Sequence, residues 1–212
     1  MIDDTGRGVR IIKLGGSLLD LPDLAGVMRR WLARQVPTAN VVLVGGGRLA
    51  DALRQYDRLH GLSDLDAHWL AIRAMELNGR LLASLLKEAD WIDSLEAIAE
   101  RTEPLSILNP YIFMRQDERS AAPMPSGWHV TSDSIAARAA EHSRAGELVL
   151  LKSALPTVPA TIAAAVAEGY VDPSFPAASR LLPRIRCVNL RQQTFPEVTW
   201  KGQSLEDRAK NG

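Results

Sequence analysis

The stretch Val9-Arg10-Ile11-Ile12-Lys13-Leu14-Gly15-Gly16-Ser17-Leu18-Leu19 decides the fold. It reads as a short buried strand that runs into a glycine turn, with a lysine one residue before the strand ends. Further along, Val41-Val42-Leu43-Val44-Gly45-Gly46-Gly47 repeats the plan. An apolar run with no alternation is the pattern of a parallel strand covered on both faces. Glycine lacks a Cβ, so the backbone after each strand can approach an anion closely and adopt positive φ. Neither turn is a Walker loop or a G-x-G-x-x-G fingerprint. Two such turns, one with an embedded lysine, point to main-chain N–H groups facing one phosphate or carboxylate.

Between the two strands, Leu24, Val27, Met28, Trp31 and Leu32 repeat at helical spacing behind Asp20 and Pro22, which predicts a strand–helix–strand crossover. After the second turn the spacing predicts a helix with Leu49, Ala52, Leu53, Tyr56 and Leu59 on its apolar face, closed by Gly61. Ser63 or Asp64 caps a long helix to about Lys87. Its apolar residues cover more than one face, so a second side is expected to meet a partner. Gly79 in its interior costs roughly 1 kcal/mol against alanine and suggests a close approach by another backbone or a ligand. Further strands are predicted at Trp91-Ile92, Leu105–Leu108, Glu147–Leu151 (ending at Lys152) and Ile185–Leu190. Helices are predicted over Ser94–Glu100, Ile135–Glu141 and Pro159–Glu168. Arg115–Gly127 reads as a mobile loop of the kind that covers a site.

The chain has 212 residues, with Lys+Arg and Asp+Glu both 25, so long-range steering of nucleic acid is not indicated. The single cysteine, Cys187, excludes an intramolecular disulfide and suits a cytoplasmic protein. Met1-Ile2-Asp3-Asp4 lacks an apolar core, so no signal peptide is expected, and no apolar run is long enough to cross a membrane. The four histidines and one cysteine show no ligand-like spacing, and no residue is assigned to a metal.

In an open parallel sheet, ligands bind beyond the carboxyl ends of the strands. Lys13–Gly16, Gly45–Gly47, Thr131–Asp133 and Lys152 all fall there. Two lysines, two glycine turns and a carboxylate suit phosphoryl transfer, which is mainly positioning plus cationic stabilisation. Other readings stand beside this one. Asp133 also fits a plain N-cap, and Lys152 a structural lysine. His68 and His129 fit either core positions or acceptor contacts. Arg48 and Asp51 either face the acceptor or pair with each other. Trp69 and Trp128 read as core or loop anchors rather than stacking surfaces.

Lys13-Leu14-Gly15-Gly16-Ser17 together with Val44-Gly45-Gly46-Gly47 resembles the amino acid kinase family. The resemblance continues in the long helix around Met75–Leu82 and in Thr131-Ser132-Asp133-Ser134-Ile135-Ala136-Ala137. It implies a three-layer αβα sandwich around a mainly parallel sheet, as a single domain over residues 1–190 with a polar tail at 191–212. It implies MgATP as phosphoryl donor and a phosphorylated or carboxylate acceptor. Catalysis would fall to Lys13, Asp133 and Lys152, with Asp133 organising the two lysines. Gly15, Gly16, Ser17 and Lys152 would bind the nucleotide. Gly45, Gly46, Gly47, Arg48, His68 and Ser132 would bind the acceptor. The family commonly dimerises through the corresponding long helix, which implies a homodimer. Within the family, Ala67-His68-Trp69-Leu70-Ala71-Ile72 and Trp128-His129-Val130-Thr131-Ser132-Asp133 are most similar to the short kinases of methanofuran biosynthesis, whose acceptor is an aminomethylfuran-methyl phosphate. One segment departs. Many members carry a Thr-Asp-Val-Asp-Gly-Val type run and a later glycine-rich turn with a lysine, where this chain has Lys152-Ser153-Ala154-Leu155-Pro156-Thr157-Val158-Pro159. The alternative expectation is therefore a non-catalytic nucleotide- or oxyanion-binding protein on the same fold.

Overall fold

Val41, Val42, Leu43 and Val44 are all buried, because the strand they form, β2 (Ala39–Val44), lies inside a sheet with helices on both faces. The computed structural model describes residues 8–96, 105–157 and 161–201. Seven strands form one sheet: β1 (Val9–Leu14), β2, β3 (Asp90–Ile92), β4 (Leu105–Leu108), β5 (Glu147–Lys152), β6 (Arg184–Asn189) and β7 (Glu197–Lys201). Their order is β3-β4-β2-β1-β5-β6-β7, and only the β6–β7 pair is antiparallel. The chain turns from β2 on one side of β1 to β5 on the other, so the topological switch point lies where β1 and β5 end.

The alternation of β1 splits the core in two. Ile11 faces one layer with Val41, Leu43, Leu148 and Leu150. Ile12 and Leu14 face the other with Val42, Val44, Val149 and Leu151. The first layer is closed by α4 (Pro110–Asp117), α5 (Ser132–His142), α6 (Ile162–Ala167) and α7 (Phe175–Ser179). The second is closed by α1 (Leu24–Leu32), through Leu24, Met28 and Trp31. The long helix α3 (Asp64–Leu85) serves both, with Ile72 and Met75 in one layer and Leu82 in the other. This is the expected αβα arrangement.

Local rules set several boundaries. Gly61 ends α2 (Gly47–His60) at φ 62°, and the Ser63 hydroxyl caps α3 by accepting from the Asp66 N–H at 3.1 Å. Helix α4 begins where Asn109 caps and Pro110 occupies the first turn, a start signal that sequence reading passed over, and its last residues, Arg115–Asp117, fall in the segment expected as a loop. Asp20 does not start α1. It closes a 3-10 turn over Gly16–Asp20, and α1 begins at Leu24.

Other expectations are corrected. The apolar face predicted for α2 is largely open: Ala50 is its one buried residue, while Leu49, Tyr56 and Leu59 are exposed. Gly79 is approached not by a backbone or ligand but by the Trp91 ring, whose nearest atom would lie 3.1 Å from an added Cβ. The polar segment beyond Leu190 returns to the sheet as β7, where Trp200 packs edge-on against Tyr170 and Phe175. The Arg115–Gly127 segment is tied down. Met124 N–H donates to Asp117 at 2.8 Å, Arg138 donates to Ala122 O at 2.8 Å, and Gly127 N–H donates to His68 Nδ1 at 3.3 Å. Residues 97–100 of the helix expected at Ser94–Glu100, 159–160 of that expected at Pro159–Glu168, and the tail from 202 onward lie outside the described residues.

Candidate functional site

The two glycine turns meet backbone to backbone. A Cβ on Gly16 would sit 2.2 Å from the Gly47 N atom, and one on Gly47 would sit 2.7 Å from the Gly16 O atom. Gly47 also holds φ 48°, so at these two positions nothing but glycine fits. Asn78, buried on α3, fastens the second turn by donating from its amide to both Gly45 O and Gly46 O at 2.8 Å. Its signal in the sequence was a polar residue on an otherwise apolar helix face. Gly16 opens the 3-10 turn and Gly47 opens α2, and first-turn N–H groups have no partner within their own helix. Both turns therefore end in free donors at the same rim. Gly15 is not among them, because its N–H is spent on Leu151 O at 2.8 Å.

Helix α5 brings the carboxylate. Ala136, Ala137, Ala139 and Ala140 are fully buried, which lets the helix lie close on β1 and β5. It returns directly into β5, so its N-terminus stands at the carboxyl ends of the strands. There Thr131 is the N-cap and its hydroxyl accepts from Asp133 N–H. Asp172 takes the remaining donors, accepting from Thr131 N–H and hydroxyl at 3.2 and 2.7 Å, from Ser134 N–H at 3.1 Å, and from the Ser134 hydroxyl. With capping done by Thr131 and Asp172, the Asp133 side chain is free for the lysines. Asp172 sits far along the chain in a segment with no motif, and sequence reading passed over it.

Lys13 Nζ lies 2.9 Å from Asp133 Oδ1, and Lys152 Nζ lies 2.9 Å from Asp133 Oδ2. Burial works against ionising Asp133, but the two ammonium groups outweigh it and hold the carboxyl below the usual range. Burial lowers the Lys152 pKa, Asp133 opposes that, and the charge on Lys13 adds to it. Lys152 also donates to Tyr170 O and lies 4.2 Å from the centre of the Tyr170 ring. Two ammonium groups share one carboxylate, so the cluster carries one positive charge in excess at the N-terminus of α5, where the helix dipole adds to it. Burial pushes the Cys187 thiol up to about 12, which leaves it unreactive near neutral pH.

Beside this cluster opens a cavity of about 220 Å³, lined at one end by Lys13, Ser132 and the glycine turns, and elsewhere by residues including His68, Met75 and Trp128. His68 is buried, and burial holds it below the usual histidine value, so the ring is neutral. With Nδ1 accepting from Gly127, its proton sits on Nε2. Ser17 is on the exposed side of the first turn, 3.4 Å from the Ser153 hydroxyl. Arg48 is not at the cavity. It points to the opposite side of α2 and pairs with Asp20 at 3.0 Å. The arginine that does line the cavity is Arg54, paired with Asp51 at 2.9 Å. His129 is exposed and does not line the cavity. Among the described residues no three His, Cys, Asp or Glu side chains are grouped to hold a metal ion, and no helix is long and apolar enough to cross a membrane.

Residues 8–154 match the amino acid kinase family. Over 130 residues the chain is 28% identical to the [5-(aminomethyl)furan-3-yl]methyl phosphate kinase of Methanocaldococcus jannaschii, a match covering 60% of this chain and 57% of that protein. Among solved structures, the UMP kinase of Ureaplasma parvum superposes with a TM-score of 0.67 at 13% identity, covering 92% of this chain and 96% of the other. The aspartate kinase of Synechocystis superposes with a TM-score of 0.65 at 14% identity, covering 92% of this chain and 40% of the other. The chain belongs to the amino acid kinase family, a family of phosphotransferases.

Proposed function

We propose that this member of the amino acid kinase family is an ATP-dependent small-molecule kinase whose acceptor is a phosphate or carboxylate, specifically an aminomethylfuran-methyl phosphate on the way to methanofuran. One observation carries the reading: Lys13 and Lys152 share Asp133 at the strand ends, beside the interlocked glycine turns. The relative of M. jannaschii named for that acceptor supports its identity.

The acceptor oxygen attacks the γ-phosphorus, the bond to the ADP oxygen breaks, and ADP leaves. A phosphate or carboxylate is already ionised near neutral pH, so no base has to remove a proton. This agrees with an Asp133 whose two oxygens are both occupied by lysines. Lys13, facing the cavity, stabilises the charge that spreads over the transferring group, and Lys152 meets it from the β5 side. Gly16, Gly46 and Gly47 offer N–H groups to phosphate oxygens, with Ser132 beside the acceptor. Gly15 acts through shape alone, and Ser17 lies toward the nucleotide side. Mg²⁺ carried on the phosphates of ATP would neutralise part of their charge, its usual mode with few protein ligands. The protein would act in the cytoplasm as a homodimer.

The experiment is incubation of the purified protein with MgATP and a panel of phosphorylated and carboxylate acceptors, with ADP measured by chromatography. ADP formed in step with phosphorylated acceptor is the expected result. Tight ATP binding without ADP, whatever the acceptor, would instead favour the non-catalytic phosphate-binding alternative that the changed segment after Lys152 suggests.

A further inference from the structure

The acceptor cavity has a tryptophan in its wall, and its place there sets it apart from the others. Trp31 is fully buried, Trp69 meets Tyr111 and His68 edge-on, Trp91 covers Gly79, and Trp200 packs on Tyr170 and Phe175. Trp128 alone among the tryptophans borders the cavity, and it is half-buried. Its indole N–H donates to Asp57 at 2.7 Å, and the Arg54 guanidinium lies 4.7 Å from the centre of its ring. Both partners are on α2, the helix that starts at the second glycine turn. The preceding residue, Gly127, is tied to His68 on α3. The ring is thus oriented before any ligand arrives, and ordering it on binding costs little.

We propose that Trp128 is a specificity-determining residue, the surface on which one flat ring of the acceptor lies while its phosphate sits at Lys13, Ser132 and the glycine turns. This rests on the reading of the cavity as the acceptor site. One part of the wall supports it, since Ala71, Ile72, Met75 and Val130 offer an apolar surface for a ring, while Asp51, Arg54 and His68 supply polar groups at its edge. Size argues the same way. An apolar cavity of about 150 Å³ takes one benzene ring. The 220 Å³ here matches one ring and a phosphate more closely than a base, a ribose and a phosphate together. The acceptor class that fits is therefore a single-ring methyl phosphate in preference to a nucleoside monophosphate.

The test is calorimetric titration of the full chain with three probes: methyl phosphate, benzyl phosphate and uridine 5′-monophosphate. Benzyl phosphate should bind roughly tenfold tighter than methyl phosphate, the order expected of one ring stack. Trp128→Phe should keep that preference and Trp128→Leu should abolish it. The methyl phosphate affinity should stay unchanged in both variants, which a folding defect would not allow. A preference that survives in Trp128→Leu, no binding of benzyl phosphate, or tighter binding of uridine 5′-monophosphate would each overturn the assignment. Its failure is separable from that of the kinase reading. A ring preference without ADP formation from any acceptor would sink only the kinase, and ADP formation without a Trp128-dependent preference would sink only the stacking surface.

Discussion

Strands β1 and β5 each carry a charged residue near the start and another near the end, and the two clusters that result differ in kind. At the starts, Arg10 meets Glu147 at 2.5 Å and Asn40 at 2.9 Å, while Arg186 reaches Glu197 at 2.6 Å, Gln35 at 2.9 Å and Glu147 at 3.5 Å. Two buried arginines meet Glu147 and Glu197, with the exposed Arg184 3.9 Å from Glu147; none of them borders the acceptor cavity, and the cluster joins β1, β5, β6 and β7. At the ends, two lysines meet one aspartate and one charge is left over. Both clusters have a buried centre, Arg10 and Arg186 in the first and Lys13 and Asp133 in the second. What separates them is the open cavity, which Lys13 lines and no member of the first cluster reaches; this makes the second a place for an anion and the first a clasp.

Substitutions at the two ends of β1 should therefore give opposite readouts. Arg10→Met removes a buried partner of Glu147 and should lose about 3 kcal/mol in chemical denaturation. That is the low end for a broken buried pair, because Arg186 still faces Glu147. Turnover per folded molecule should hold. Lys13→Ala should lower turnover roughly 10²–10³-fold, as loss of one preorganised donor does, with less change in substrate binding. Its stability should stay close to that of the parent, because Asp133 keeps Lys152. A large stability loss with normal turnover at Lys13, or the reverse at Arg10, would erase the distinction.

A smaller effect should come from pH. The Lys152 ammonium titrates below the usual lysine value of 10.5, chiefly because it is buried. Turnover should then fall as pH rises through that lowered value. Stability should move the other way: the folded protein bears the cost of the buried charge below the lowered pKa, and this cost is relieved as pH rises from there to 10.5. Lys152→Arg, which stays charged, should remove this alkaline limb of the rate profile, and a limb that persists belongs to another group.

The smallest effect on chemistry is expected at the outer face of α3. Leu70, Leu77, Leu81 and Leu85 are 41–60% exposed, and among the described residues neither the Arg115–Gly127 segment nor the C-terminal strand covers them. A homodimer burying on the order of 1,200–2,000 Å² would cover such a stripe. Leu81→Asp should then yield a monomer in light scattering with the rate per chain little changed. A parent protein that is monomeric at every concentration would end the dimer proposal and leave the kinase intact.

The sequence by itself determined whatever short-range physics controls. Unbroken apolar runs specify strands buried on both faces, paired glycines specify turns open to an anion, and Ser63 and Gly61 mark helix boundaries. Those rules placed Lys13, Asp133 and Lys152 at one rim, and the ion pairs found there agree. Tertiary structure alone decided which side of each element faces that rim. Helical spacing shows that Arg48 and Arg54 lie on different faces of α2, but not which face meets the cavity. The packing of Gly47 on Gly16 sets that, and it turns Arg54 inward and Arg48 away. Asp133 was free for the lysines only because Asp172, far along the chain, had taken the capping work. The same holds for Asn78 beneath the second turn and for β7 at the sheet edge. Each depends on a contact between distant segments, and no local pattern in the chain encodes the orientation in which those segments meet.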